Sequence, residues 1–212
     1  MKDLETGWST ILKSRIESEL IGKMPNENFD EVSVMKQIEQ HDLEFLFHGS
    51  VEDIDAFLNR HSGVFSDHDR TDFLHAAREE GLSSVRANLF SWVYGVIVDW
   101  REEDSEIVRL FGKFLPEEVI VEEVDEGLSL SYAGEIYSIP LTFSSNDRYI
   151  TIRGIADIIQ KQFEIRLFRD SYLSDTHVFV LLSCVQWQEL ERSHTAEVEK
   201  IFQKITPELD FP

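Results

Sequence analysis

The chain has 212 residues, 42% of them hydrophobic and 11% aromatic, which is enough to bury a core and too apolar for a disordered segment. It carries 41 acidic against 20 basic residues, a formal net charge of -21, and a surface of that sign repels phosphate backbones and anionic lipids, which argues against direct nucleic-acid binding and membrane docking. A single cysteine, Cys184, leaves no intramolecular disulfide and no cysteine-cluster metal site. No apolar run reaches the roughly 18 residues of a membrane span, and the opening Met-Lys-Asp-Leu-Glu-Thr-Gly-Trp has no apolar signal core, so the sequence reads as cytoplasmic.

Leu4, Trp8, Ile11, Leu12, Ile16, Leu20 and Ile21 recur in steps of three and four, which predicts an amphipathic helix over residues 4–22, closed by Gly22 and Pro25. Residues 25–31 form a turn-rich connector. From residue 32 to 115 the pattern is helical. Ser50 with Asp53 three residues on is a cap signature, followed by the apolar face Ile54, Phe57 and Leu58. Asp67 or Asp69 caps the next helix, which Gly81 ends. Ser83 or Ser84 opens another that runs to about Trp100, and a further helix spans about residues 104–115 before Pro116.

Leu74-His75, Ala77, Gly81, Val85 and Leu89-Phe90 resemble the ankyrin helix pair, and Gly49, Ile54, Phe57 and Leu58 are similar to a degenerate partner. The step from Ile54 to Val85, 31 residues, is near the ankyrin period of about 33. Asp72-Phe73 stands where the family has Thr-Pro, and no third repeat is visible. The resemblance implies a protein-interaction scaffold, with His75 bonding backbone at the inter-repeat turn. His61, His68 and His75 recur every seven residues, as do His41 and His48, but Gly63, Ser66 and Asp67 break the helix between them, so they do not make a metal comb and no metal or other cofactor is expected.

At Pro116 the apolar period changes from about 3.6 to 2, which sets the expected boundary between a helical domain, residues 1–115, and an α+β domain, residues 116–212. Residues 117–124 read as a strand with Val119, Val121 and Val124 inward. Asp125-Glu126-Gly127 turns into Leu128, Leu130 and Tyr132, and Ala133-Gly134 turns again into Ile136, Ile139 and Leu141, a hairpin pattern with Pro140 at an edge. Ser144 to Asp147 caps a helix carrying Tyr149, Ile152, Ile155, Ala156, Ile158 and Ile159. Glu164, Arg166 and Arg169 alternate with Ile165, Leu167 and Phe168 in a strand. Val178 to Cys184, nearly all apolar, reads as the central strand with a buried thiol. Trp187 and Leu190 begin a short helix, and a last helix runs over about residues 195–205. The order βββαββαα, behind a helical and ankyrin-like region, predicts an α+β fold with a mixed or antiparallel sheet of about five strands.

Three sets of residues are candidates for function. The first is acidic: Glu117, Glu118, Glu122, Glu123, Asp125 and Glu126, or Glu102, Glu103, Asp104 and Glu106 beside Trp100, which would anchor a contact with a basic partner. The alternative role for the first strip is a charged sheet edge that blocks aggregation. The second set is Ser174-Asp175-Thr176-His177, in which Asp175 and His177 could do general-base work, or form an ordinary polar turn. The third is Arg148, Arg153, Arg166 and Arg169, which with His177 could hold an anion, or form internal ion pairs. No nucleophile elbow, P-loop, dinucleotide-binding glycine motif or His-Glu-x-x-His is present.

The stretch Tyr137-Ser-Ile-Pro-Leu-Thr, then Asp147-Arg148-Tyr149, Glu164-Ile-Arg-Leu and Ser174-Asp-Thr-His, closing at Trp187 and Leu190, is similar to the C-terminal portion of bacterial proteins, some of which look like immunity proteins of secreted-toxin systems. That resemblance implies a non-enzymatic protein that binds and inhibits a cognate toxin, a basic protein partner, with no membrane or direct nucleic-acid contact. The competing expectations are a small ligand-binding or hydrolytic domain using Asp175, His177 and the arginines, and an ankyrin-like scaffold.

Overall fold

The computed structural model describes residues 38–206, apart from 80, 100, 143, 145 and 146, together with Leu209. The expected helix over residues 4–22, the connector after it and the proposed anchor Trp100 lie outside the described residues. The chain divides into two compact units between Tyr94 and Gly95, ahead of the period change at Pro116. The helix expected to reach Trp100 ends at Tyr94, and Gly95–Asp99 is a strand. Gly95 weakens the helix, and the β-branched run Val96-Ile97-Val98 alternates sides against a partner strand far along the chain.

The described part of the first unit contains four helices: α1 Gln40–His48, α2 Val51–Arg60, α3 Asp67–Glu79 and α4 Leu82–Tyr94. Ser50 and Asp53 form the expected reciprocal cap, the Ser50 backbone N–H donating to Asp53 Oδ2 at 2.7 Å. The next helix opens with a reciprocal cap that joins Ser66 to Asp69, one of the two expected aspartates: Asp69 N–H donates to Ser66 Oγ, while Asp69 Oδ2 accepts from the Ser66 backbone at 2.7 Å. Gly81, at φ +102°, supplies the left-handed turn between α3 and α4. Ile54, Phe57, Val85, Leu89 and Phe90 have no exposed surface. His75 lies on the outside, its side chain 69% exposed and its Nε2 3.5 Å from Glu79 Oε1, so it does not take the backbone-bonding role the ankyrin resemblance implies.

The second unit is antiparallel throughout. A four-stranded sheet has the order β1-β6-β5-β7, from β1 Gly95–Asp99, β5 Phe163–Phe168, β6 Thr176–Ser183 and β7 Phe202–Lys204. A three-stranded sheet has the order β2-β3-β4, from β2 Ile120–Val124, β3 Gly127–Tyr132 and β4 Glu135–Pro140. The fold is α+β as expected, with the strands shared between two sheets. The remaining helices are α5 Asp104–Gly112, α6 Asp147–Ile159, α7 Cys184–Ser193 and α8 Thr195–Ile201.

One continuous core joins Val96 and Val98, Ile165 and Leu167, Phe179 and Leu181 to Ile107 and Phe111 of α5, Ile152 and Ile155 of α6, and the inner face of the small sheet, Leu128, Leu130 and Ile139. Each such side chain, fully buried, contributes about 1.5–3 kcal/mol. The opposite face of the large sheet is closed by α7 and α8 through Trp187, Leu190 and Val198, with Phe202 of β7 against the Trp187 ring. β6 is an interior strand, as its apolar run requires. Cys184 is not in that strand: it is the first residue of α7 and only partly buried, because Ser183 caps the helix by accepting from Gln186 N–H. The last helix stops at Ile201, since Phe202 to Lys204 pair with β5 as an edge strand. Among the described residues no helix is long and apolar enough to cross a membrane, and no three His, Cys, Asp or Glu side chains are grouped to hold a metal ion.

Candidate functional site

Two short turns set the register of the small sheet. Ala133 (φ +52°) and Gly134 (φ +78°) close the two-residue turn between β3 and β4, the left-handed pair that matches strand twist. Asp125 and Glu126 connect β2 to β3. Opposite residues then fall in rows. Val121, Leu130 and Tyr137 form one row, and Glu123, Leu128 and Ile139 another, on the core side. Ile120, Ser131 and Ile136, then Glu122, Ser129 and Ser138, then Val124, Gly127 and Pro140, form the rows of the outer side.

That outer side has an uncommon composition. Its middle strand offers only Ser131, Ser129 and Gly127, so it is flat, while its flanking strands raise branched apolar side chains. Ile136 is 80% exposed, Ile120 51% and Val124 44%. These are three of the five large hydrophobic side chains exposed among the described residues, so apolar surface is concentrated on this sheet instead of scattered as is normal. Three strands and three rows give a face of roughly 10 Å by 15 Å. The sequence pattern put Val124 inward and left the sides of Ile136 and Ile139 open. The register puts Val124 outward, three residues from the core-side Val121, and sends Ile139 to the core and Ile136 outward, since the side-chain period is two.

Acid gathers on β2 and at its two ends. Glu117 and Glu118 precede β2, Glu122 lies on the face itself, Asp125 and Glu126 sit at one end, and all five are exposed. Glu123, the sixth residue of the predicted strip, lies in a core-side row, and its Oε1 accepts from Ser105 Oγ at 2.8 Å. It is tied to the start of α5 and is not part of the outer face.

The second acidic strip is divided between surface and interior. Glu103 precedes α5 and is exposed, and Glu106 pairs with Arg109 at 3.3 Å. Glu102 is half-buried, and burial, with Glu106 and Asp99 nearby, raises its carboxyl above the usual range. Asp104 is raised by burial as well, opposed by the hydroxyl of Thr151, which donates to its Oδ1.

The structure separates the predicted Ser-Asp-Thr-His constellation. Asp175 is exposed, whereas His177 is 1% exposed, on the core side of β6. Its Nε2 lies 3.2 Å from the Tyr172 carbonyl, which can only accept, so Nε2 carries the proton. Burial lowers the pKa of this imidazole, the Tyr172 bond opposes the shift, and Arg148 and Asp175 act as weaker charges of opposite effect. Ser174 Oγ accepts from Thr176 N–H at 3.2 Å, and Thr176 Oγ1 donates to Asp99 Oδ2 at 3.2 Å. These are turn and strand-end bonds.

The arginines divide into two groups. Arg148 lies over the Tyr149 ring at 4.7 Å and donates to its hydroxyl at 2.5 Å. Arg153 donates to the Leu209 carbonyl. Arg166 and Arg169 both line a cavity of about 690 Å³ beside α8 and β7, which Lys204 also borders. Lys204 escaped the sequence reading because it was assigned to a helix. Its register opposite Arg166 on β5 is what brings the two cations together. For the outer face, the missed signal was the small-residue alternation Ser129, Ser131 in the middle strand, which marks a side with no core contact. No family model matches the chain, and neither the curated proteins nor the solved structures contain a match.

Proposed function

We propose that this chain is an acidic protein-binding module of the immunity type, and that the outer face of β2, β3 and β4 receives a basic surface of a cognate secreted toxin. The observation that carries the reading is that Ile120, Val124 and Ile136 stand exposed on a face whose middle strand offers only Ser131, Ser129 and Gly127, beside the exposed acids Glu117, Glu118, Glu122, Asp125 and Glu126 on β2 and its ends. Exposed branched apolar side chains beside charged ones are a mixture that protein interfaces use. The sign of these charges selects a cationic partner and raises its association rate. The excess of acid over base in the whole chain acts in the same direction at longer range.

The test uses the full chain as bait in native lysate, wild type against Ile136→Lys and Ile120→Ser. The expected result is a basic protein retained by the wild type and lost from Ile136→Lys, with affinity reduced tenfold or more, about the value of one interface anchor, at unchanged thermal stability. Co-expression with the wild type would neutralise that protein's toxicity, and co-expression with Ile136→Lys would not. Equal retention by wild type and both variants, or a retained protein with no toxicity to neutralise, refutes the reading.

A further inference from the structure

The small sheet has an edge on each side, and its register tells which backbone groups each edge presents. Ala133 and Gly134 both lie at positive φ, so Tyr132 and Glu135, which flank this two-residue turn, are a hydrogen-bonded pair. Alternation then points the N–H and C=O groups of Leu128, Leu130 and Tyr132 at β4 and those of Gly127, Ser129 and Ser131 at β2. The bond from Leu141 N–H to the Glu126 carbonyl at 3.1 Å continues the same alternation. On β2 the partners of Ser131, Ser129 and Gly127 are Ile120, Glu122 and Val124. The N–H and C=O groups of Val121 and Glu123 are therefore directed away from the sheet, and they make no hydrogen bond among the described residues.

The two edges differ in charge. On β4 the outward groups are those of Ile136 and Ser138, followed by Pro140, which has no N–H, and the one acid is Glu135. On β2, Glu122 and Glu123 stand on opposite sides of the strand, both exposed, with Glu117 and Glu118 before it and Asp125 and Glu126 after it. Ile120 and Val124, 51% and 44% exposed, flank Glu122 on the outer side. On the core side Glu123 Oε1 accepts from Ser105 Oγ at 2.8 Å, which brings the start of α5 to this edge. Burial, then Asp147 and Glu123 as like charges, raise the Asp104 carboxyl there, opposed by the Thr151 hydroxyl. An unpaired strand edge is a template for another strand. Like charges repel a second β2, so the acids guard the edge against copies of this chain and leave it open to a strand of opposite charge.

We infer that the β2 edge receives an extended basic segment of the partner as a fourth strand. The segment bonds to the N–H and C=O groups of Val121 and Glu123, with lysine or arginine opposite Glu122 and Glu123 and apolar residues opposite Ile120, Val121 and Val124. The inference rests on the reading of this sheet as the site of a basic partner and adds how that partner is held. Main-chain bonds supply affinity, and the cross-strand pairs with the two glutamates supply specificity.

The test is amide hydrogen exchange of the full chain, followed by NMR, with the peptide Thr-Val-Lys-Lys-Val-Ile-Thr at millimolar concentration. Antiparallel to β2, its first lysine lies opposite Glu123 and its second opposite Glu122. Near saturation the Val121 and Glu123 amides should exchange about tenfold more slowly, and those of Ile136 and Ser138 should not change. N-methylation of the first lysine removes a bond to Glu123 and should weaken binding about tenfold. N-methylation of the second, whose N–H points away, should have no effect. Glutamate in place of both peptide lysines, or Glu122→Lys in the protein at an exposed position, should abolish binding. No slowing at Val121 and Glu123, equal binding of the glutamate peptide, or equal loss from both N-methylated forms overturns the inference. A basic protein retained from lysate and lost from Ile136→Lys, with those two amides still exchanging as in the unbound chain, overturns strand addition and leaves the proposed function standing. Slowing by the peptide with no basic protein retained upholds the edge site and overturns that function.

Discussion

Asp42 gives the sharpest test of how the first unit is held together. Its side chain has no exposed surface, yet it is bonded as a carboxylate. Arg60 donates from Nε at 3.0 Å and Nη2 at 2.5 Å, His61 Nε2 lies at 2.7 Å, and the Tyr94 hydroxyl donates at 2.6 Å. Burial raises the pKa of this group, but the bonds from Tyr94, Arg60 and His61 together outweigh it and leave the pKa below the ordinary aspartate value. Three helices, α1, α2 and α4, thus converge on one anion. Bonds to a charged group contribute roughly 1.5–3 kcal/mol each. Arg60 is 34% exposed, so its share is placed at the solvent-screened end, below about 1 kcal/mol.

Asp42→Asn keeps the shape, removes the charge and turns an amide N–H toward a donor. It should destabilise the first unit by about 3 kcal/mol, and Asp42→Ala by about 4 kcal/mol. Hydrogen–deuterium exchange of peptides spanning Gln40–Arg60 and Leu82–Tyr94 reads this locally, as exchange roughly 100-fold faster in Asp42→Asn. The folded pKa is depressed, so the stabilisation is complete above the unfolded value. It is lost as pH falls below about 4 through the folded pKa. The gap between wild type and Asp42→Asn should therefore close in acid. A loss under about 1 kcal/mol at neutral pH, or a gap unchanged in acid, would refute the carboxylate's role.

Further tests address the second unit. Gly127 has φ +140°, and a Cβ there would stand 2.2 Å from the Ile139 carbonyl oxygen, so Gly127→Ala should cost about 3 kcal/mol or more in chemical denaturation. Trp187→Phe removes the donor to the Glu164 carbonyl and the better face beneath Arg166. A loss of about 2–3 kcal/mol, followed by circular dichroism, is expected. His177, whose folded pKa burial depresses, stabilises as the neutral ring, fully so above its unfolded value. Urea midpoints should fall as pH drops below about 6.5, and His177→Gln should flatten that slope.

What could be read from the sequence was local. The cap at Ser50, the turn glycine at Gly81, the Ala133-Gly134 hairpin and the edge position of Pro140 all follow from residues within a few positions of one another. Two element ends were hidden because strand and helix draw on the same apolar residues. Leu89 to Val98 reads as one helix until β6 pairs with Gly95 to Asp99, and Phe202 reads as helical until β5 pairs with it. Acidity was visible as a charge count, but register decided which acids share a face: Glu122 points out beside Ile120 and Val124, while Glu123 turns in to Ser105. The meeting of Arg166 with Lys204 depends on the pairing of β5 with β7, which no local pattern encodes.

An exposed apolar face invites a second copy of the same chain, and the acids beside it argue against that outcome. Two copies meeting through this face would bring Glu117, Glu118, Glu122, Asp125 and Glu126 of each against those of the other, and like charges across an interface cost several kcal/mol. On the proposed function the same acids would attract a basic partner, so one set of charges would both block self-association and select the ligand. At physiological salt the screening length is about 8 Å, shorter than the roughly 15 Å face, so adjacent acids act locally. Sedimentation velocity should show a monomer at low salt, with self-association rising as salt screens these acids and disappearing in Ile136→Lys. Tight dimerisation through this face at low salt would show that the acids do not govern it, and would remove the ground for expecting a cationic partner there.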